Sequence, residues 1–348
     1  MMWPIKASAT QNERPSVRRV IGTSRWMAWI APVAIFIIVA LVLARRPLYT
    51  AADDLEYLSY FSGTSATLVD SLWSTVIEEP LWIWYSASLG GVLGPELALR
   101  VTIFIATMGL LLAATKLARG AWVFVLLAFL LDASMATLFY YIQVRNGLAL
   151  SLFLTVIAFA GNSLVAAAVA SSVHTSFLVG VPCSVLTHLT GKSKLAFAAG
   201  VALTAVGVVV VGQQLQQLHL GRRTGTYEWG STSNANFYLV ALVQYAIMLW
   251  GVWPSRRDEH INRLLRYTTI FFVTALSLTF VHEAAVRLVF VSRMLLVVSL
   301  GASMKTPRAK VAGAVWIGLL VLLVLLDSLA MEMSPDAWLA RWEAILAK

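Results

Sequence analysis

Cysteine and charge are what this chain has least of. Cys183 is the single cysteine among 348 residues, so no intramolecular disulfide forms and thiol redox chemistry is disfavoured. Charged residues make up only 12% of the sequence, too few for the surface of a soluble protein of this length. No His/Cys spacing of a zinc site, no GxSxG elbow and no phosphate-binding glycine loop occurs, and nothing demands a metal or another cofactor. Long polar stretches are missing as well. The N-terminal residues 1–25 and the loop from Arg45 to Glu79 are the most polar segments, and neither is long enough to bury a core of its own. A separate soluble catalytic domain is thereby excluded.

What fills the chain instead is apolar sequence. Hydrophobic residues account for 59%, in runs near twenty residues that recur along almost the whole length, the signature of a polytopic all-α membrane protein. The expected organisation is a cytoplasmic segment 1–25, one integral membrane domain 26–330 and an external C-terminal segment 331–348. A net charge of +9 would suggest a nucleic-acid partner in a soluble protein. Here the lysines and arginines gather in short loops beside apolar spans, which is the positive-inside pattern and leaves no role for nucleic acid. The first apolar run, Trp26 to Ala44, is too long for a signal-peptide core and reads as a retained anchor.

Lys6, Arg14, Arg18, Arg19 and Arg25 place the N-terminus in the cytoplasm, so the following loop is external. That loop ends in Glu79-Pro80 before the aromatic run LWIWY, with proline suited to a first helical turn and an acid suited to the positive end of the helix dipole. Residues 80–92 are too few to span and predict an external interfacial helix. Spans then follow over Glu96–Leu117, Ala121–Ile142 and Gly147–Ala160. The segment Ser163 to Leu189, as one straight helix of about 40 Å, is longer than a bilayer needs and is interrupted by His174 and Pro182. If it turns near His174 as a pair of half-helices, the basic clusters Lys192/Lys194, Arg256/Arg257/Arg263/Arg266 and Lys305/Arg308/Lys310 all fall on the cytoplasmic side. Five further spans give an expectation of about nine full transmembrane helices plus this broken hairpin. No internal repeat is visible, unlike the duplicated architecture common in transporters.

This topology gathers the potential chemistry on the outer side: Asp53, Asp54, Glu79, Arg145, Arg222, Arg223, His282, Glu283 and Arg287, with His174 within reach. An enzyme facing that compartment needs a donor activated beforehand and delivered through lipid. A lipid diphosphate fits, because its leaving group spreads charge over oxygens that arginine grips with paired donors. Arg145, beside Gly147 at the outer start of a helix, suits a phosphate or snorkels to headgroups. Arg287 either binds phosphate or pairs with Glu283, four residues away on the same face. Arg293, about 9 Å further along the same span, is a second phosphate candidate unless it pairs with Asp132. His174 is a general base, a donor to phosphate, or a histidine satisfied by a half-helix carbonyl. Glu79 is a base or a helix cap, with only one of Glu78 and Glu79 able to face a given cleft. Asp53 and Asp54 are candidate acids or part of a solvated loop. Arg222 and Arg223 complete the candidate phosphate ligands.

Five stretches, DDLEY, EEPLWIWY, QVRNGLALSLF, VHTSFLVGVP and VRLVFVSRM, running from about residue 50 to 303, resemble in order the EpsG-like group of exopolysaccharide polymerases. These are Wzy-type proteins related to membrane glycosyltransferases of GT-C architecture. The resemblance implies transfer of a growing glycan from its polyprenyl diphosphate carrier onto an incoming lipid-linked repeat unit at the outer face of a bacterial inner membrane. By position it makes Asp53 or Asp54, Glu79, Arg145, His174 and Arg287 the active-site candidates, with polyprenyl-diphosphate-linked oligosaccharides, membrane lipid and a chain-length regulator as partners. The alternatives are a GT-C enzyme adding one sugar from a polyprenyl monophosphate sugar, a lipid-linked oligosaccharide flippase and a membrane acyltransferase. A flippase would need charge along a path through both halves, and the inner half is almost charge-free outside its loops.

Overall fold

The structure, a computed structural model, describes residues 21–49, 51, 53–63, 79–132, 143–190, 193–217, 235–279 and 282–330. Every regular element among them is helical. A long first helix, α1 (Ile21–Ala44), leads to a short one, α2 (Asp54–Phe61), and then to α3 (Pro80–Leu93). Proline opens both α3 and α4 (Pro95–Leu117), and Gly94, at φ 78°, separates them. At 1.5 Å per residue α3 is about 21 Å long, short of a hydrocarbon core of about 30 Å. This agrees with the expectation that residues 80–92 are too few to span.

After α5 (Trp122–Leu131) and α6 (Val144–Ala160) the chain turns at Gly161, φ 67°, into α7 (Ser163–Val173). Asn162 caps α7, its side chain accepting from the N–H groups of Leu164 and Val165, both at 3.1 Å. At His174 the helix breaks into extended backbone (φ −150°, ψ 122°), a 3-10 turn covers Thr175–Val179 and α8 (Gly180–Leu189) follows. The two arms fold back on each other. Ser184 Oγ donates to the Ser163 carbonyl at 3.0 Å, two positions that a straight helix would hold about 30 Å apart. The hairpin tip is fixed by rings: Phe177 packs at 5.8 Å from Phe153 of α6 and at 6.2 Å from Phe271 of α11 (Glu259–Ser277).

The remaining helices are α9 (Lys194–Gln217), α10 (Ala235–Val252), α12 (His282–Ala302) and α13 (Pro307–Ala330). Helix α12 forms the centre, with residues 287–303 all buried, and packs most extensively on α11. By length and composition three of the described helices suffice to cross a membrane: Pro95–Leu117, Phe237–Ser255 and Ala284–Ala302. The expected nine spans therefore do not all reach that standard within the described residues. Described α5 stops at ten residues, and α11 begins with the charged Glu259, Arg263 and Arg266, so its apolar length is short. Residues 1–20 and 331–348, and the candidates Arg222 and Arg223, lie outside the described residues. So do Glu78 and the side chains of His282 and Glu283.

Candidate active site

The α2–α3 corner is built around Trp82, fully buried with Tyr57, Tyr60, Phe61 and Tyr85 at centroid distances of 5.6–6.0 Å. Gly90 permits this docking: a Cβ there would come within 1.8 Å of the Phe61 carbonyl oxygen. The corner thereby presents one face of α2 to the first turn of α6, where Arg145 lies.

Arg145 is held from several directions. Its Nη1 donates to Glu79 Oε2 at 2.8 Å and its Nη2 to Glu56 Oε1 at 3.3 Å. The guanidinium carbon stands 5.2 Å from the Tyr60 ring, 5.8 Å from Tyr57 and 5.9 Å from Trp82, within cation–π range. The Nε atom is buried with no hydrogen-bond partner among the described residues. The reading of a headgroup-snorkelling arginine does not fit, since the side chain is only 11% exposed. Tyr57, outside the spans, has its phenol pushed up to about 12, chiefly by burial and against the pull of Arg145. It is a neutral hydroxyl at any physiological pH.

Glu79 joins three elements. It precedes α3 with a left-handed backbone (φ 65°, ψ 66°), a conformation costly for a residue with a Cβ. Its Oε2 takes Arg145 of α6, while its Oε1 accepts the Thr175 N–H at 2.9 Å and faces Thr175 Oγ1 at 3.4 Å, both at the hairpin tip. Its side chain makes no capping bond to α3, so the cap reading fails. In this loop between helices, burial pushes the Glu79 carboxyl above its ordinary value, opposed by Arg145 and by the Thr175 donors.

His174 Nδ1 lies 3.6 Å from Glu79 Oε1 and accepts the Ser176 N–H at 3.1 Å. A nitrogen that accepts carries no proton, so the neutral ring bears its hydrogen on Nε2. In this state His174 offers a donor; the base role would require the other tautomer. Arg287, one turn into α12 and buried, acts electrostatically on Glu79, His174 and Tyr57. Four elements far apart in sequence thus bring Arg145, Glu79, His174 and Arg287 together. Asp53 stands at the edge, half-exposed one helical turn before Tyr57, on which its charge acts.

Two candidates leave the site. Asp54 is fully buried and forked onto Arg46: Oδ2 accepts Nη1 at 2.9 Å, Oδ1 accepts Nη2, and Oδ2 also takes the Ala51 N–H at 3.2 Å. It ties α2 to the end of α1, an end that Arg100 also holds through the carbonyls of Ala44 and Arg46. Arg293 donates to Asp132 Oδ2 at 2.7 Å, both side chains being under 10% exposed. Its charge is consumed in a structural pair, which removes it from the phosphate ligands.

Glu56, Tyr60, Trp82 and Thr175 were not among the site residues expected from sequence. A signal existed for the first two: Asp53, Glu56, Tyr57 and Tyr60 recur at i, i+3, i+4 and i+7, one face of a helix. No group of three or more His, Cys, Asp or Glu that could hold a metal ion occurs among the described residues. A cavity of about 680 Å³ opens elsewhere, lined by Leu55, Leu58, Ser59, Leu93, Glu96 and Leu97 among others. None of the four converging residues lines it.

Neither a curated protein nor a solved structure matches this sequence. The model of the EpsG family does, over residues 29–338, a stretch that includes every element described here except the first residues of α1. The chain belongs to the EpsG family.

Proposed function

We propose that this protein is a polysaccharide polymerase of the outer face of a bacterial inner membrane. It transfers a glycan from a polyprenyl diphosphate carrier onto a lipid-linked repeat unit. Family membership supports a polysaccharide-polymerase type of function, and the helical, largely apolar chain supports a membrane setting. The observation that carries the finer reading is the convergence of two arginines, a carboxylate and a histidine from α6, α12, the α3 lead-in and the hairpin tip.

In the transfer, the acceptor hydroxyl oxygen bonds to the anomeric carbon of the donor while the bond from that carbon to the phosphate oxygen breaks. The bonding pair leaves with the polyprenyl diphosphate. Arg145 and Arg287 face the charge that develops there, in a site where fixed donors need no reorganisation. Glu79 takes the acceptor proton, a task suited to a carboxylate whose proton affinity burial has raised. His174 Nε2–H is a donor to a phosphate or sugar oxygen.

The test is a polysaccharide gel of cells lacking the protein, complemented with wild type or Arg145→Ala at matched membrane levels. The expected result for both the null and the variant is a single repeat unit with no ladder of lengths. Alteration of the single unit itself would mean that the protein adds one sugar, and the polymerase reading would fall.

A further inference from the structure

We infer that Glu56 is an exchangeable stand-in for the donor diphosphate on Arg145, occupying its place before binding and displacing the polyprenyl diphosphate product afterwards. The inference rests on the proposed diphosphate substrate and concerns how the site takes it up and lets it go.

Arginine presents two edges for paired recognition of an oxyanion. The edge formed by the terminal nitrogens is divided between two carboxylates, Glu79 on Nη1 and Glu56 on Nη2. The side edge, Nε with Nη2, is incomplete: Nε is buried with no hydrogen-bond partner among the described residues, Nη2 holds the longer of the two carboxylate contacts, 3.3 Å against 2.8 Å, and the other polar group beside the guanidinium is the neutral hydroxyl of Tyr57. A buried donor without an acceptor is disfavoured, and a phosphate placing two oxygens on this edge satisfies it. Such a phosphate must take Nη2 from Glu56 and leaves Nη1 with Glu79.

The two carboxylates differ in the way this exchange requires. Glu79 is 7% exposed and holds Nη1 at 2.8 Å, whereas Glu56, on the short helix α2, is 28% exposed and holds Nη2 at 3.3 Å. Charge follows the same logic. Glu56 supplies one of the negative charges that face Arg145. When Glu56 turns away, the cluster carries one more net positive charge for the incoming anion. When it returns it competes with the product for Nη2.

The test uses the full-length protein in lipid nanodiscs with farnesyl diphosphate as the probe, measuring its dissociation constant for wild type, Glu56→Gln, Arg145→Ala and the double variant. Glutamine keeps the shape and removes the charge. Glu56→Gln should bind about two- to fivefold tighter than wild type, the scale of a partly exposed ion pair. Arg145→Ala should lose binding, and the double variant should gain nothing over Arg145→Ala. A Glu56→Gln variant that elutes as a folded protein and binds no tighter than wild type overturns the exchange, as does a gain that persists without Arg145. The gel experiment separates this from the parent proposal. Tighter binding in Glu56→Gln with an unaffected ladder in Arg145→Ala keeps the exchange and removes the polymerase role of Arg145. Loss of the ladder without tighter binding does the reverse.

Discussion

Replacing Arg145 by lysine keeps the charge and removes the geometry, and it should impair turnover severely. Arginine here serves two carboxylates from two nitrogens, at 2.8 and 3.3 Å, with three aromatic rings within 6 Å of its guanidinium carbon. One ammonium can hold Glu79, but it offers no planar fork for a second oxyanion and no flat face to the rings. Loss of one charge-assisted hydrogen bond is worth about 1.5–3 kcal/mol and loss of the ring contacts about 0.5–1 kcal/mol. Discounted for partial compensation by the ammonium, about 2–3 kcal/mol of leaving-group stabilisation is lost, or roughly 30- to 150-fold in turnover. The assay is incorporation of labelled repeat unit into polymer by membranes containing equal amounts of wild type and Arg145→Lys, with size-exclusion elution as a check on folding. A variant that polymerises at the wild-type rate would refute a paired-donor role for this arginine.

Three further outcomes are expected. Arg293→Met leaves the buried Asp132 carboxylate without its arginine and should cost about 3–5 kcal/mol of stability, most of it restored in Arg293→Met/Asp132→Leu; thermal unfolding in detergent measures both, and a stable single variant that had lost only polymer would return Arg293 to the substrate site. Gly90→Ala drives a Cβ into the Phe61 backbone, where no flexible side chain can give way; a destabilisation of about 1–3 kcal/mol or more should appear as a lower melting temperature together with lost activity, and a wild-type melting curve would contradict the packing. Glu79 must be ionised to take a proton, and burial raises its carboxyl above the ordinary carboxylate value. Activity should therefore fall as pH drops through that raised value and recover above it, and Glu79→Gln should be slow at every pH. An acid limb at or below the ordinary carboxylate range in wild type, read from pH–rate profiles, would argue against Glu79 as the base.

The sequence alone indicated the outline of this site, because its signals are local. A histidine and a proline interrupting an apolar run marked the hairpin break, the Glu79-Pro80 pair marked the start of α3, and an arginine at the head of an apolar helix marked Arg145. What stayed hidden were the partners. Asp53 and Asp54 are adjacent and look equivalent as letters, yet consecutive helical positions differ by about 100°. One residue therefore faces Arg46 inside and the other lies toward Tyr57. Arg293 and Asp132 are separated by 161 positions, and only the packing of α12 against the end of α5 closes that distance. Glu56 had the right periodicity, but its importance depends on α2 docking against Trp82, which no local pattern reports.

The backbone of Glu79 explains why exchange on Arg145 falls to Glu56. A left-handed conformation at a residue with a Cβ costs on the order of 1–2 kcal/mol, and the residue before a proline is further restricted, away from helical toward extended backbone. The compensation visible in the structure is the pair of contacts that this conformation makes possible, to Arg145 on one oxygen and to Thr175 on the other. Moving the Glu79 carboxylate would forfeit both, including its bond to the hairpin tip, where Phe177 is wedged against α6 and α11. Moving Glu56 releases the longer of the two carboxylate contacts on Arg145, made by a partly exposed residue. Of the two acids on Arg145, one is a joint between three elements and the other is the part that can turn over with each catalytic cycle.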